Sequence, residues 1–129
     1  MSRSGYSDEY EHVQLWRAAV DRATFGKRGQ AFLRRLRDAL DALPVKRLIT
    51  DALVDEHGDV CALGAVDSTT NIDPYDRDAV AAHFKIAPAL AAEVAYMNDE
   101  FCWRRDETPE QRWTRMRAWV EKQIGPEDA

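Results

Sequence analysis

The sequence predicts an α+β, mostly helical fold: four or five helices around one core, with a small β-hairpin near residues 47–63. Three observations carry that prediction. Apolar residues recur at helical spacing through residues 30–43, 90–101 and 113–124. The string Thr108-Pro109-Glu110-Gln111 is a helix start, with a capping threonine, proline at the first helical position and glutamine at the third. Short apolar runs flanking a polar, glycine-containing turn occur between Arg47 and Leu63.

The first helix is expected from about Ser7 to Ala23. Ser7 is its N-cap, and Asp8, Glu9 and Glu11 place negative charge where the helix dipole favours it. Val13, Trp16, Val20 and Ala23 share one face. Gly26 ends this helix, and Phe25-Gly26-Lys27-Arg28-Gly29 reads as a turn. A second helix begins at Lys27 or Gln30 and runs to Leu43, where Pro44 stops it. Phe32, Leu33, Leu36, Ala39, Leu40 and Leu43 form its apolar arc, with Leu36 near the centre.

The hairpin is expected to close at His57-Gly58, between Leu53-Val54 and Val60-Cys61. Residues 44–54 read equally as the extension of a short helix, with one residue pair in a ladder. The small apolar run 61–66 can pass into a short buried helix. Residues 67–78 form a polar loop, and a helix starting at Pro74 or Asp76 carries Ala79, Val80 and Phe84. Pro88 opens the next, whose stripe is Leu90, Val94, Met97 and Phe101. In the last helix Trp113, Met116, Val120 and Ile124 share a face, and Gly125-Pro126 stops it.

A chain of 129 residues with 45% hydrophobic content can bury a core without a metal or disulfide staple. It is read as one domain over 1–129, with 1–6 and 125–129 as frayed tails. No apolar run suits a membrane span or a signal peptide, so a cytoplasmic protein with no membrane contact is expected. His12, His57 and His83 lie on separate elements, and Cys61 and Cys102 form no C-x-x-C pair, so no metal ligand is expected. Cys61 sits in an apolar string, where thiols are inert, and Cys102 has no evident base beside it. Gly26-Lys27-Arg28-Gly29 lacks the spacing of a phosphate-cradling loop, and no nucleophile elbow occurs. The reading is of no enzyme, no catalytic residue and no cofactor.

Charge is the informative feature. Between Arg22 and Arg47, eight basic residues stand against two acidic ones, a balance of +6; between Asp51 and Glu100, eleven acids stand against two bases, a balance of −9. Pairing Arg34 with Asp38 and Arg37 with Asp41, four residues apart, neutralises part of the basic stretch. The remaining candidate partner-binding set is Lys27, Arg28, Arg35, Lys46 and Arg47. The rival acidic set is Asp55, Glu56, Asp59, Asp73, Asp76 and Asp78. Trp16 and Trp113 fall within apolar stripes. Trp103 and Trp119 are the candidate exposed aromatics, with closure of the core's rim as the other reading.

The strings Ser4-Gly5-Tyr6-Ser7-Asp8, Trp16-Arg17, Gly26-Lys27-Arg28-Gly29-Gln30-Ala31-Phe32, Lys46-Arg47-Leu48-Ile49, Cys61-Ala62-Leu63-Gly64-Ala65 and Thr108-Pro109-Glu110-Gln111-Arg112-Trp113 together resemble a family of small proteins encoded by phages and prophages of proteobacteria. The resemblance spans nearly the whole chain and implies a mobile-element setting in a bacterial host cell. The expected function is non-catalytic binding of a host macromolecule, most concretely a host protein of a defence system that is thereby inhibited. The alternative is a nucleic-acid-binding accessory protein using the basic second helix. A small enzyme ranks third.

Overall fold

The computed structural model describes residues 3–4, 13–101 and 106–126. Their elements are α1 (Val13–Phe25), α2 (Lys27–Ala42), α3 (Ala62–Val66), α4 (Arg77–Phe84), α5 (Pro88–Asp99) and α6 (Pro109–Gln123). The expected start of α1, with Ser7, Asp8, Glu9 and Glu11, lies outside the described residues.

Helix α5 occupies the centre, packed by α1, α3, α4 and α6. Its alanines at 89, 91, 92 and 95 are all buried, and their small side chains let neighbouring helices approach from several sides. The expected stripe holds for Leu90, Val94 and Met97. Phe101 lies beyond the helix end and is 53% exposed, its ring 6.0 Å from that of Tyr96. Helix α2 is one-sided, with Phe32, Leu33, Leu36 and Leu40 buried. Each such side chain stabilises the fold by about 1.5–3 kcal/mol through burial. Phe32 meets Phe84 of α4 edge-on, centroids 6.0 Å apart.

The segment expected as a turn before α2 is shorter than its glycines suggested. Lys27, Arg28 and Gly29 belong to the first turn of α2, and Gly26 alone separates the helices. Gly29 serves close approach instead: a Cβ there would stand 1.8 Å from the Ala23 carbonyl oxygen of α1. Gly64 does the same in α3, against the Leu53 carbonyl at 1.8 Å.

The hairpin is a correction. Among the described residues there is no strand, only one antiparallel bridge, Val54 with Val60, around a turn whose Asp55 N–H donates to the Asp59 carbonyl at 2.9 Å. Two more backbone bonds cross between the arms, Cys61 N–H to Leu53 O at 3.2 Å and Ile49 N–H to Val60 O at 2.9 Å, but other groups before the turn are engaged elsewhere. The Leu48 N–H donates to Pro109 O at 3.0 Å, and Leu48 O accepts from Arg112 Nη1 at 2.8 Å. Ile49 O accepts from Asn98 Nδ2 at 2.9 Å, and Asp51 turns the chain at φ +63°. With those groups committed to α5 and α6, no ladder extends. The fold is therefore helical and not α+β.

Helix ends follow the expected chemistry. Thr108 and Gln111 form the reciprocal capping box of α6, with bonds of 3.1 and 2.9 Å. Asp76 caps α4 through Ala79 N–H at 3.1 Å. At the end of α2, Trp113 Nε1 donates to Leu40 O at 3.0 Å, and Lys46 Nζ donates to the Asp41 and Leu43 carbonyls. These occupy the carbonyls a helix end leaves without partners.

Arg3 and Ser4 fall in the stretch expected to fray, yet both are buried. Gly125, at the other expected tail, donates to Gln30 Oε1 at 2.8 Å.

Candidate functional site

The basic candidates separate once their neighbours are known. Arg47 is bidentate to Asp59, with Nη2 at 2.8 and 3.0 Å from the two carboxylate oxygens. That pair raises the Arg47 pKa above its ordinary value, the hydrogen bond to Asp59 being the main cause. Lys46 caps α2 and lies 5.8 Å from the Trp113 ring centroid. Both are spent on structure. Lys27, Arg28 and Arg35 are exposed and make no ion pair among the described residues. At about 100° per residue they fall within one third of the circumference of α2, around the exposed Ala31.

The two helical pairs expected to neutralise α2 do not form. Asp41 instead accepts from Arg117 of α6 at 2.7 and 3.1 Å. This bond holds the Asp41 carboxyl below its usual range and raises the arginine. Arg37 Nε bonds the adjacent Asp38 at 3.2 Å, and Arg34 Nη2 donates to Gly125 O at 3.2 Å. A helical pair needs both side chains to lie along the helix surface. Here α6 and the chain after it compete for the same groups.

Four of the six acidic candidates hold backbone or an arginine in place. Asp55 accepts from the His57 and Asp59 N–H groups, Asp59 binds Arg47, Asp73 accepts from Tyr75 N–H, and Asp76 caps α4. Turn and cap chemistry therefore accounts for much of the acidic stretch. Glu56 and Asp78 remain exposed on the surface. The two sets do not form opposite faces throughout, since Arg47 and Asp59 are bonded to one another.

Trp119 is half-buried and packs against the core, which corrects its candidacy as an exposed aromatic. Trp113 is also half-buried, at the end of α2. Trp103, Cys102 and His12 lie outside the described residues. Three exposed aromatics were not expected from the sequence, Tyr75, Phe101 and, at the α1–α2 corner next to Lys27, the 60% exposed Phe25. Its signal was an aromatic residue directly preceding the glycine-lysine-arginine string.

That corner borders a cleft of about 370 Å³ lined by Phe25, Lys27, Gln30, Arg34, Gly125 and Pro126. Gln30 builds its floor. Its Nε2 donates to Thr24 O at 2.8 Å and Gln123 O at 2.9 Å, and its Oε1 accepts from Gly125 N–H. One amide thus ties the ends of α1 and α6 to α2.

A second polar cluster was not anticipated. Arg3 donates to Asp99 through Nε and, at 2.8 Å, Nη2, while Nη1 lies 3.5 Å from Cys61 Sγ. Burial alone would lower the arginine's pKa, but Cys61 and Asp99 outweigh it and push it up. Asn98, fully buried, accepts from Ala62 N–H at 3.1 Å and donates to Asp99 at 2.7 Å. Cys61 is wholly buried, with its sulfur accepting from Gly64 N–H at 3.4 Å. A substrate has no route to that sulfur, and the cluster joins the chain start to α3 and α5. Among the described residues no group of three or more histidine, cysteine or acidic side chains could hold a metal, and no helix is long and apolar enough to cross a membrane.

No protein-family model, curated protein or solved structure matches the chain.

Proposed function

We propose that the protein is a non-catalytic binding protein of a phage or prophage that grips an acidic bacterial host protein at the α1–α2 corner, inhibition of a host defence system being the most concrete form. One observation carries this reading. Lys27 and Arg28 stand exposed next to the exposed Phe25, and Arg35 stands exposed about two turns further along α2, with no ion pair among the described residues to explain them, whereas most other candidate charges have structural work. Exposed aromatic and arginine side chains are the residues that concentrate binding energy at interfaces. Repulsion from the net charge of −5 acts over the ~8 Å Debye length of physiological salt and weighs more against a uniformly charged polyanion such as nucleic acid than against a local acidic patch on a protein.

The test is capture from host lysate with tagged protein, with and without nuclease. Three forms are compared: wild type, the triple variant Lys27→Glu/Arg28→Glu/Arg35→Glu, and Glu56→Lys/Asp78→Lys. The reading expects a protein retained after nuclease, lost by the triple variant and kept by the acidic-side variant. Capture that nuclease abolishes favours the nucleic-acid alternative. Salt-sensitive binding of bare DNA by wild type would do the same.

A further inference from the structure

We propose that the exposed stripe of α2 formed by Arg28, Ala31, Arg35, Asp38 and Ala42 is a seam that receives an acidic helix of the partner protein. This rests on the reading that the partner is an acidic protein, and it names the element of the partner that docks and its register.

All of these residues are exposed, and they follow one another at alternating spacings of three and four, the repeat by which one helix meets another. The stripe runs for about 21 Å, four turns of helix. Ala31 and Ala42 leave shallow places on which a second helix can rest. Ala31 also separates two arginines that stand about 10 Å apart along the axis. Neither Arg28 nor Arg35 makes an ion pair among the described residues. Asp38, one turn past Arg35, is bonded to Arg37 at 3.2 Å. Arg28 stands in the first turn of α2, where the helix dipole disfavours a cation, so the helix itself gains nothing from that charge. The groups of α2 that reach α6 and the chain after it, Gln30, Arg34 and Asp41, lie on the other flank. At helical periodicity they stand roughly 100–160° round the axis from Arg28 and Arg35.

The order of charges along the seam selects its occupant. A helix with acids seven residues apart meets both arginines, and a basic residue on the same face meets Asp38. A phosphate backbone is anionic throughout, and Asp38 repels it. A second copy of α2, packed antiparallel, sets its own Asp38 against Arg28 but only its Ala31 against Arg35, so one arginine stays unmatched.

The experiment is fluorescence anisotropy on the full chain at low salt. The probe is a labelled peptide locked helical by side-chain lactams, with two glutamates seven residues apart, an alanine between them and a lysine placed to meet Asp38. Beside it run a peptide of the same composition with one glutamate moved to the opposite face, an unlocked version broken by proline, and a labelled oligothymidylate. Saturable binding of the parent peptide is expected, with each altered peptide about tenfold weaker. Arg28→Glu and Arg35→Glu change exposed side chains; each is expected to weaken the parent peptide about five- to tenfold with the thermal midpoint unmoved. Arg22→Glu, the same change of net charge on exposed α1, should stay within about twofold of wild type. The proposal is overturned if wild type does not bind the parent peptide, if the face-split peptide binds as well, if Arg22→Glu weakens binding as much as the seam variants, or if oligothymidylate binds more tightly. Wild type that sediments as a dimer, and as a monomer once Arg28→Glu is introduced, assigns the seam to a second copy and likewise overturns it. Lysate capture that depends on Arg28 and Arg35, with no preference among the peptides, overturns the seam and leaves the wider surface standing. Helix binding that depends on Arg28 and Arg35, with no host protein captured, supports the seam and overturns the wider reading.

Discussion

Arg3 and Asp99 are 96 residues apart in sequence and form a bidentate ion pair whose side chains keep 1% and 5% of their exposure. The pair fastens the start of the chain to the end of α5, beside Asn98 and Cys61. Removing the arginine leaves a buried carboxylate with only Asn98 Nδ2 and the Asp51 N–H for company. Arg3→Ala is expected to cost about 3 kcal/mol in urea unfolding, since breaking a buried pair strands a charge. The double change Arg3→Ala/Asp99→Ala should cost less than the sum of the two single changes.

Leu36 is fully buried at the centre of the α2 arc. Leu36→Ala should lower unfolding free energy by about 2–5 kcal/mol, the loss of transfer energy plus the cavity left behind. A loss below about 0.5 kcal/mol in denaturant titration would show that the site collapses around the smaller residue.

Gly29→Ala tests the crossing of α1 and α2. Helix propensity alone favours alanine by about 1 kcal/mol. The new Cβ, however, would meet the Ala23 carbonyl at 1.8 Å, and the obstacle is backbone that cannot rotate aside. A net destabilisation of about 1–3 kcal/mol is expected from calorimetry or denaturant unfolding.

Asp67 accepts from the Thr69 hydroxyl at 2.6 Å and Thr69 N–H at 2.9 Å, and bonds His83 Nε2 at 2.8 Å. The Thr69 bonds lead, with His83 behind them, in lowering its pKa from 3.8 to about 2. A carboxylate depressed in this way stabilises the folded state in full above its ordinary value. That contribution fades as pH falls through the range between 3.8 and about 2. Carboxyl-carbon NMR should place the Asp67 midpoint near 2 in wild type, and Thr69→Ala should move it upward.

The Asp41–Arg117 bond joins α2 to α6 at the surface, with half of the carboxylate exposed. Solvent screening keeps its contribution small. Arg117→Ala should change stability by less than about 1 kcal/mol, and less still in high salt.

The helices are properties of short stretches of chain, and residue spacing alone reveals them. The apolar arc of α2, Asp76 before α4, Pro88 at the start of α5 and the Thr108–Gln111 box act within a few residues, so their spacing is legible without a fold. The charge imbalance of the basic and acidic stretches was legible for the same reason. Whatever depends on neighbours distant in sequence emerges only on packing. The apolar runs around Asp55–Asp59 did not become a two-stranded hairpin: Asp51 turns the chain at φ +63°, Asn98 takes the Ala62 N–H and the Ile49 carbonyl, and Pro109 and Arg112 take both backbone groups of Leu48. Gly29 looked like a turn residue and is a contact residue, since only the path of α1 reveals the carbonyl beside it. Asp41 left its helical neighbour for Arg117, 76 residues away, and Arg47 was taken by Asp59. Electrostatic partners are chosen by distance in space and by geometry, neither of which linear spacing encodes. What that selection left exposed is Phe25, Lys27 and Arg28 at one corner of the helical core, with Arg35 about two turns further along α2.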